Sequence, residues 1–165
     1  MPIALTTTES LWFLPLVAPI CIYVAWTDLS SMKIRNHATD ALLALFVVLG
    51  LFALPFDAYL WRLLHAAVAL GAIIVLMPVA KFGGGDAKFC ISAAPYMVLA
   101  DWRIVLMLFC GFLLASFFVH RLARATPLRR LAPNWQSWKT GQRFPMGLPL
   151  GATLITYLAL PLIYG

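Results

Sequence analysis

Two carboxylates stand almost alone in a chain of apolar residues. Asp28 closes the first apolar stretch, shortly before Lys33 and Arg35. Asp86 follows three glycines in the run Gly83-Gly84-Gly85-Asp86-Ala87-Lys88. An ionisable group at the end of a membrane helix is costly and is a functional candidate for that reason. Two carboxylates that can meet have a definite chemistry. Like charges brought close hold one proton between them, so one carboxyl is protonated while the other is ionised. Such a pair can activate a water and protonate a leaving amine, which is what hydrolysis of a peptide bond requires. Either residue can be the acid, because a coupled pair titrates as a unit.

The residues around the pair have roles that follow from their types. Gly83, Gly84 and Gly85 allow backbone angles closed to other residues and let main chain approach a bound peptide. An extended substrate can then pair with exposed main-chain groups as an added strand. Asp86 falls where the next helix begins, a favourable place for negative charge. Lys88 cannot share a helix face with Asp86, because i and i+2 point apart. It is expected to meet lipid phosphate or an acidic group of a substrate. Asn36 either caps the second apolar stretch or hydrogen-bonds near Asp28. Asp40, one turn further, is a third candidate carboxylate. Pro145 and Gly147, in Pro145-Met146-Gly147-Leu148-Pro149, are expected to set the entry of the last stretch. His37, His65 and His120 are scattered and show no convergence, so no metal site is expected. Cys21, Cys90 and Cys110 form no C-x-x-C pair and lie in apolar stretches, as packing residues do.

The elements that must position these groups are membrane helices. Of the 165 residues 63% are hydrophobic and only 11% are charged, against about 25% charged in a soluble domain. The expected fold is all-α: a single polytopic domain, residues 1–165, built as a bundle of about six transmembrane helices. The apolar stretches are Leu11–Trp26, Ala38–Phe56, Leu63–Ala80, Phe89–Ala100, Ile104–Val119 and Met146–Tyr164. Several are short against the ~20 residues needed to cross a bilayer, and Phe89–Ala100 also carries Pro95. Five spans are the alternative to six.

Six spans sort the basic residues. Lys33, Arg35, Lys81, Lys88, Arg121, Arg124, Arg129, Arg130, Lys139 and Arg143 fall on one side, and only Arg62 and Arg103 on the other. The positive-inside rule puts the first group in the cytoplasm. Asp28 and Asp86 then share the cytoplasmic edge, while the N-terminus, the loops near Asp57 and Asp101 and the C-terminus face outward. Residues 1–10 hold Glu9 and no basic residue, so the first stretch reads as an uncleaved span rather than a signal peptide. The net charge of +6 suits anionic inner-leaflet lipid, and its spread over short loops argues against nucleic acid. Thr126 to Phe144 is the one long polar segment. Trp135 and Trp138 beside basic residues suit a segment lying on the headgroups, as a linker or as a lid over the site. Pro127 and Pro133 argue against one continuous helix there.

Three motifs in order resemble one family. Gly83-x-Gly85-Asp86-x-Lys88 looks like the GxGD motif of the type IV prepilin peptidases, which are intramembrane aspartyl proteases. Asp28 followed by Lys33, Ile34 and Asn36 resembles that family's other catalytic segment, an Asp with Ile-Pro-Asn at its end; here Arg35 stands where proline is common. Pro145-Met146-Gly147-Leu148-Pro149 resembles the Pro-x-Gly-x-Pro turn that opens the last span. The match is closest to the short, single-domain members associated with tight-adherence pili.

The resemblance implies that Asp28 and Asp86 are catalytic and that no metal or other cofactor is used. It implies cleavage of the short basic leader of Flp-like pilin precursors, typically after a glycine, at the cytoplasmic face of the bacterial inner membrane. Larger members also N-methylate the new terminus and carry an extra region, often with paired cysteines, that this sequence lacks; methyltransferase activity is not expected. The partners implied are the pilin precursor, through its leader and the apolar N-terminal helix that follows it, and the anionic bilayer, with no statement of oligomeric state. Two other readings stand beside it. A small transporter or channel component would use the aspartates as ion sites, and would place them near mid-membrane. A non-catalytic pilus-assembly protein would keep the aspartates without cutting. Among other GxGD proteases, an archaeal preflagellin peptidase stays open, and a signal-peptide-peptidase relative fits less well because Asp28 follows Thr27 rather than tyrosine.

Overall fold

The computed structural model of the chain describes residues 3–80, 83–140 and 144–164. Among these residues there are six α-helices and no strand: α1 (Thr7–Ser31), α2 (Asn36–Ala53), α3 (Phe56–Ala80), α4 (Gly84–Ala93), α5 (Trp102–Ala125) and α6 (Gly147–Tyr164). All but α4 are long and apolar enough to cross a membrane. The protein is an all-α, multi-pass membrane protein.

The stretch Phe89–Ala100 is not a membrane helix. α4 stops at Ala93 and the chain continues as two single 3-10 turns, Ala94–Tyr96 and Leu99–Asp101. Pro95 lies in the first of these and supplies no N–H to continue the α-helical ladder. The segment 84–101 nevertheless joins both ends of the bundle. Its irregular backbone is served by neighbours, as non-helical main chain at membrane depth must be. Arg62 donates to the Pro95 carbonyl at 3.4 Å, His65 Nδ1 lies 3.2 Å from the Met97 carbonyl, and the Val98 N–H donates to Tyr157 Oη at 3.1 Å.

The two ends are built differently. At one end, Asp101 accepts from the backbone N–H groups of Ala4 and Leu5 and from Tyr157 Oη at 2.8 Å. Thr6 and Glu9 form a reciprocal capping box that starts α1. Glu9 Oε1 also pairs with Arg62 at 3.1 Å, and both side chains are buried. Arg62 and Asp101 are therefore interior groups, not loop charges. An arginine in the second turn of α3 and a glutamate in the first turn of α1 share this end and neutralise each other.

The other end holds Asp28, near the end of α1, and the start of α6. α1 and α6 run antiparallel and form the most closely packed helix pair. Glycines set their separation. A Cβ at Gly151 would lie 2.9 Å from the Cys21 carbonyl oxygen, and one at Gly147 would lie 3.2 Å from the Val24 carbonyl oxygen. This is a small-x-x-x-small face, which lets membrane helices approach closely. In mid-bundle Phe13 stacks on Phe46 at 5.5 Å, and Tyr96 meets both edge-on before donating to the Leu42 carbonyl at 2.7 Å.

The polar segment after α5 folds back over the aspartate end. Trp138 stacks on His120 at 4.8 Å, Trp135 stacks on Trp138 at 5.6 Å, and Trp135 meets Trp26 of α1 edge-on at 5.4 Å. Its described part holds two short 3-10 turns, Pro127–Leu131 and Gln136–Trp138. Lys81 and Arg143 of the basic set lie outside the described residues.

Candidate active site

Asp28 is buried in the last turns of α1, which runs past it to Ser31 and ends on Met32 with φ 54°. Its Oδ2 accepts a 2.6 Å hydrogen bond from the Gly147 N–H, at the first residue of α6. A helix N-terminus presents unpaired N–H groups and a positive dipole end, so a carboxylate is well placed there. Gly147 has no room for a side chain: a Cβ would lie 2.9 Å from Asp28 Cβ and 3.1 Å from Oδ2.

Asp86 lies in the first turn of α4, outside the five crossing helices. Gly83 caps α4 with an ordinary φ of −63°. A Cβ on Gly83 would lie 2.6 Å from Asp86 Oδ2, and one on Gly85 would lie 3.0 Å from Ile34 Cβ. The glycines at 83 and 85 thus supply space rather than unusual backbone angles: one frees the carboxylate, the other lets α4 close on the turn between α1 and α2. Gly84 is the first helical residue. Burial, and after it the negative charge of Asp28, push the Asp86 carboxyl up to about 6. The second cause expresses how near the two carboxylates lie, although they come from different helices.

The other expected residues fall around this pair. Lys88 Nζ donates to Asn36 Oδ1 at 2.9 Å, joining α4 to α2. Asn36 is therefore neither the cap of α2 nor a partner of Asp28; Arg35 holds the cap position with no side-chain bond. Arg35 has φ −77°, within the range that proline fixes, so its departure from the family pattern leaves the turn intact. Pro145 is buried beside Gly147. The reading of Pro145 and Gly147 as entry residues understated Gly147, whose N–H is a direct partner of Asp28. The Gly147-x-x-x-Gly151 spacing was the available signal for that close approach.

Asp86 also opens onto a cleft of about 500 Å³, lined by α4, α5 and α6. Its walls are apolar apart from Asp86, His65 and Thr153, and the Thr153 hydroxyl donates to the Pro149 carbonyl at 2.7 Å. Among the described residues no group of three metal-ligating side chains converges.

The arrangement defines a multi-pass membrane protein with two carboxylates gathered at one end of the bundle, one of them open to an apolar cleft. Residues 16–123 match the type IV leader peptidase family, well over half of the chain, and the protein belongs to that family. It is a membrane protease of the leader-peptidase kind. No curated protein and no solved structure matches the chain.

Proposed function

We propose that the protein is an aspartyl endopeptidase that removes the short basic leader of Flp-like pilin precursors at the cytoplasmic face of the inner membrane. The observation that carries this reading is that Asp28, bonded to the start of α6, and Asp86, in the first turn of α4, lie at the same end of the bundle, where the charge of Asp28 acts on the Asp86 carboxyl. The N-terminus then lies outside, and the basic end faces anionic lipid.

The pair shares one proton, and in this reading Asp86, whose carboxyl is pushed up to about 6, serves as the acid and Asp28 as the base. The Gly147 N–H already donates to Asp28 Oδ2, and hydrogen bonding to the charged form favours it. Asp28 takes a proton from water as the oxygen attacks the scissile carbonyl carbon. Asp86 gives its proton to the carbonyl oxygen; on collapse of the tetrahedral intermediate the C–N bond breaks as Asp28 passes the proton taken from water to the leaving amine, and a hydroxyl of the intermediate returns a proton to Asp86. No metal or cofactor enters these steps, and no methyl transfer is expected. Ion transport would want the carboxylates near mid-membrane, whereas both lie at one end of the helices.

The test is co-expression of a Flp-like pilin precursor with wild type, Asp28→Ala and Asp86→Ala, read by gel shift and N-terminal sequencing. Wild type is expected to release the leader, and both variants to insert in the membrane and fail to cut. Cleavage by either variant would overturn the paired-carboxylate mechanism.

A further inference from the structure

The cleft beside Asp86 extends far beyond the reacting pair. It begins at Asp86 and Met146 at the basic end and reaches Leu99 and Trp102 at the opposite end. It exists because α5 packs chiefly on α6, leaving a gap on the side of α4 and the 3-10 turns. Phe89, Val105, Leu106 and Leu150 give it apolar walls. The polar groups at its rim other than Asp86 are engaged within the protein, His65 with the Met97 carbonyl and Thr153 with the Pro149 carbonyl. Nothing along its depth therefore asks for a polar ligand, while its one carboxylate stands at the mouth.

Size narrows the occupant. A crossing helix of ~10 Å diameter and ~30 Å length fills roughly 2,400 Å³. The cleft holds about 500 Å³. It accepts one stripe of side chains along a helix and leaves the other faces to lipid or to further contacts.

We propose that this cleft is the docking groove for the apolar segment that follows the cut bond, seated as a helix with one side-chain stripe between α4 and α5. This rests on the leader-peptidase reading, because the segment is named by its place next to the bond that Asp28 and Asp86 hydrolyse. A polypeptide cut at Asp86 must lead its next residues away from that carboxyl, and the cleft is the apolar path that starts there. The groove fixes the distance from the first apolar turn to the carboxylates, so it selects where along the precursor the cut falls.

The test is disulfide trapping with a Flp-like pilin precursor carrying single cysteines in the first three turns after its cut site. The enzyme carries Asp28→Asn, which holds the precursor uncut and leaves the cleft unchanged. Single-cysteine versions place the thiol at native Cys90, at Val105→Cys or at Leu106→Cys in the cleft, and at Met107→Cys on the adjoining face of α5 as control. The expected result is cross-linking from the three cleft positions and none from Met107→Cys. In the active enzyme, Val105→Trp overfills the groove and is expected to lower cleavage roughly tenfold or more with insertion unchanged. Cross-linking confined to Met107→Cys, or from no position while wild type still cuts the same precursor, overturns the groove and leaves the peptidase reading intact. Undiminished cleavage by Val105→Trp also overturns it, and marks the cleft as a lipid site. Cross-linking in the cleft with no cleavage by wild type supports the groove and removes the peptidase reading.

Discussion

Gly147 is where packing and chemistry meet most directly, and Gly147→Ala separates them. The added Cβ lies 2.9 Å from Asp28 Cβ, 3.1 Å from Asp28 Oδ2 and 3.2 Å from the Val24 carbonyl oxygen. Carbon atoms rest at about 3.5–4.0 Å, so Asp28 or the start of α6 has to give way by several tenths of an ångström. Overpacking of this kind costs about 1–3 kcal/mol of stability. It also stretches the 2.6 Å bond from the Gly147 N–H to the Asp28 carboxylate. Displacement of a catalytic group by about 1 Å can cost a hundredfold in rate, so the expected loss of cleavage is about 10–100-fold per folded molecule. Gly151→Ala is the matched control. Its Cβ meets the Cys21 carbonyl oxygen at 2.9 Å, so it strains the same helix pair about two turns of α1 away from Asp28. It is expected to lower stability by a similar ~1–3 kcal/mol with cleavage per folded molecule close to wild type. Gly111→Ala, with nothing within 4 Å of its Cβ, is expected to change neither. Unfolding in detergent and gel-shift cleavage of the co-expressed precursor read the two effects separately. Equal loss of cleavage in Gly147→Ala and Gly151→Ala would refute a specific hold of Gly147 on Asp28.

Four further outcomes follow from the same geometry. Cleavage should fall as pH rises through about 6, where Asp86 gives up its proton, in a purified-enzyme assay across pH 5–8. The raised Asp86 carboxyl binds its proton more tightly folded than unfolded. Its contribution to stability is therefore complete below the ordinary value of 3.8 and is lost as pH rises through about 6. Asp86→Asn should gain thermal stability relative to wild type at pH 8 but not at pH 4. Arg62→Met leaves Glu9 buried without its partner and should cost ~3–5 kcal/mol, most of it recovered when Glu9→Gln is added, as read by unfolding in detergent. Arg35→Pro should leave cleavage unchanged and stability level or up to ~1 kcal/mol higher, because φ is already −77° and no hydrogen bond uses its N–H among the described residues.

The sequence carried the outline of the candidate site because charge is scarce in it. Asp28, Asp86 and the glycine triplet stand out against apolar neighbours, and the basic loops orient them. What it hid was how helices end and which small residues touch. Hydropathy reports composition, so Phe89–Ala100 looked like a span; Pro95 was the visible warning that α4 would stop short. The glycines at 83 and 85 read as conformational licences, whereas both are needed for clearance, at Asp86 and at Ile34. Clearance depends on the approaching element, which no local pattern names. Glu9 and Arg62 are distant in sequence and each looked like a flank charge. Only the return of the chain through α2, which starts α3 at the same end as α1, brings them into one buried pair.

The segment 84–101 also bears on how the chain is made. Its backbone is served by Arg62 and His65, which are synthesised before it, and by Tyr157, which is synthesised after α5 and the polar loop. A segment with so short a helix is a poor candidate for independent insertion, since a spanning helix satisfies its own main chain and this one does not. Its final depth therefore waits for α6. The site is completed on the same schedule, because Gly147 opens that helix and seals Asp28. A nascent chain halted before α6 would carry both aspartates and neither the groove floor nor the N–H that holds Asp28, so on the proposed mechanism proteolytic competence appears only with the last helix.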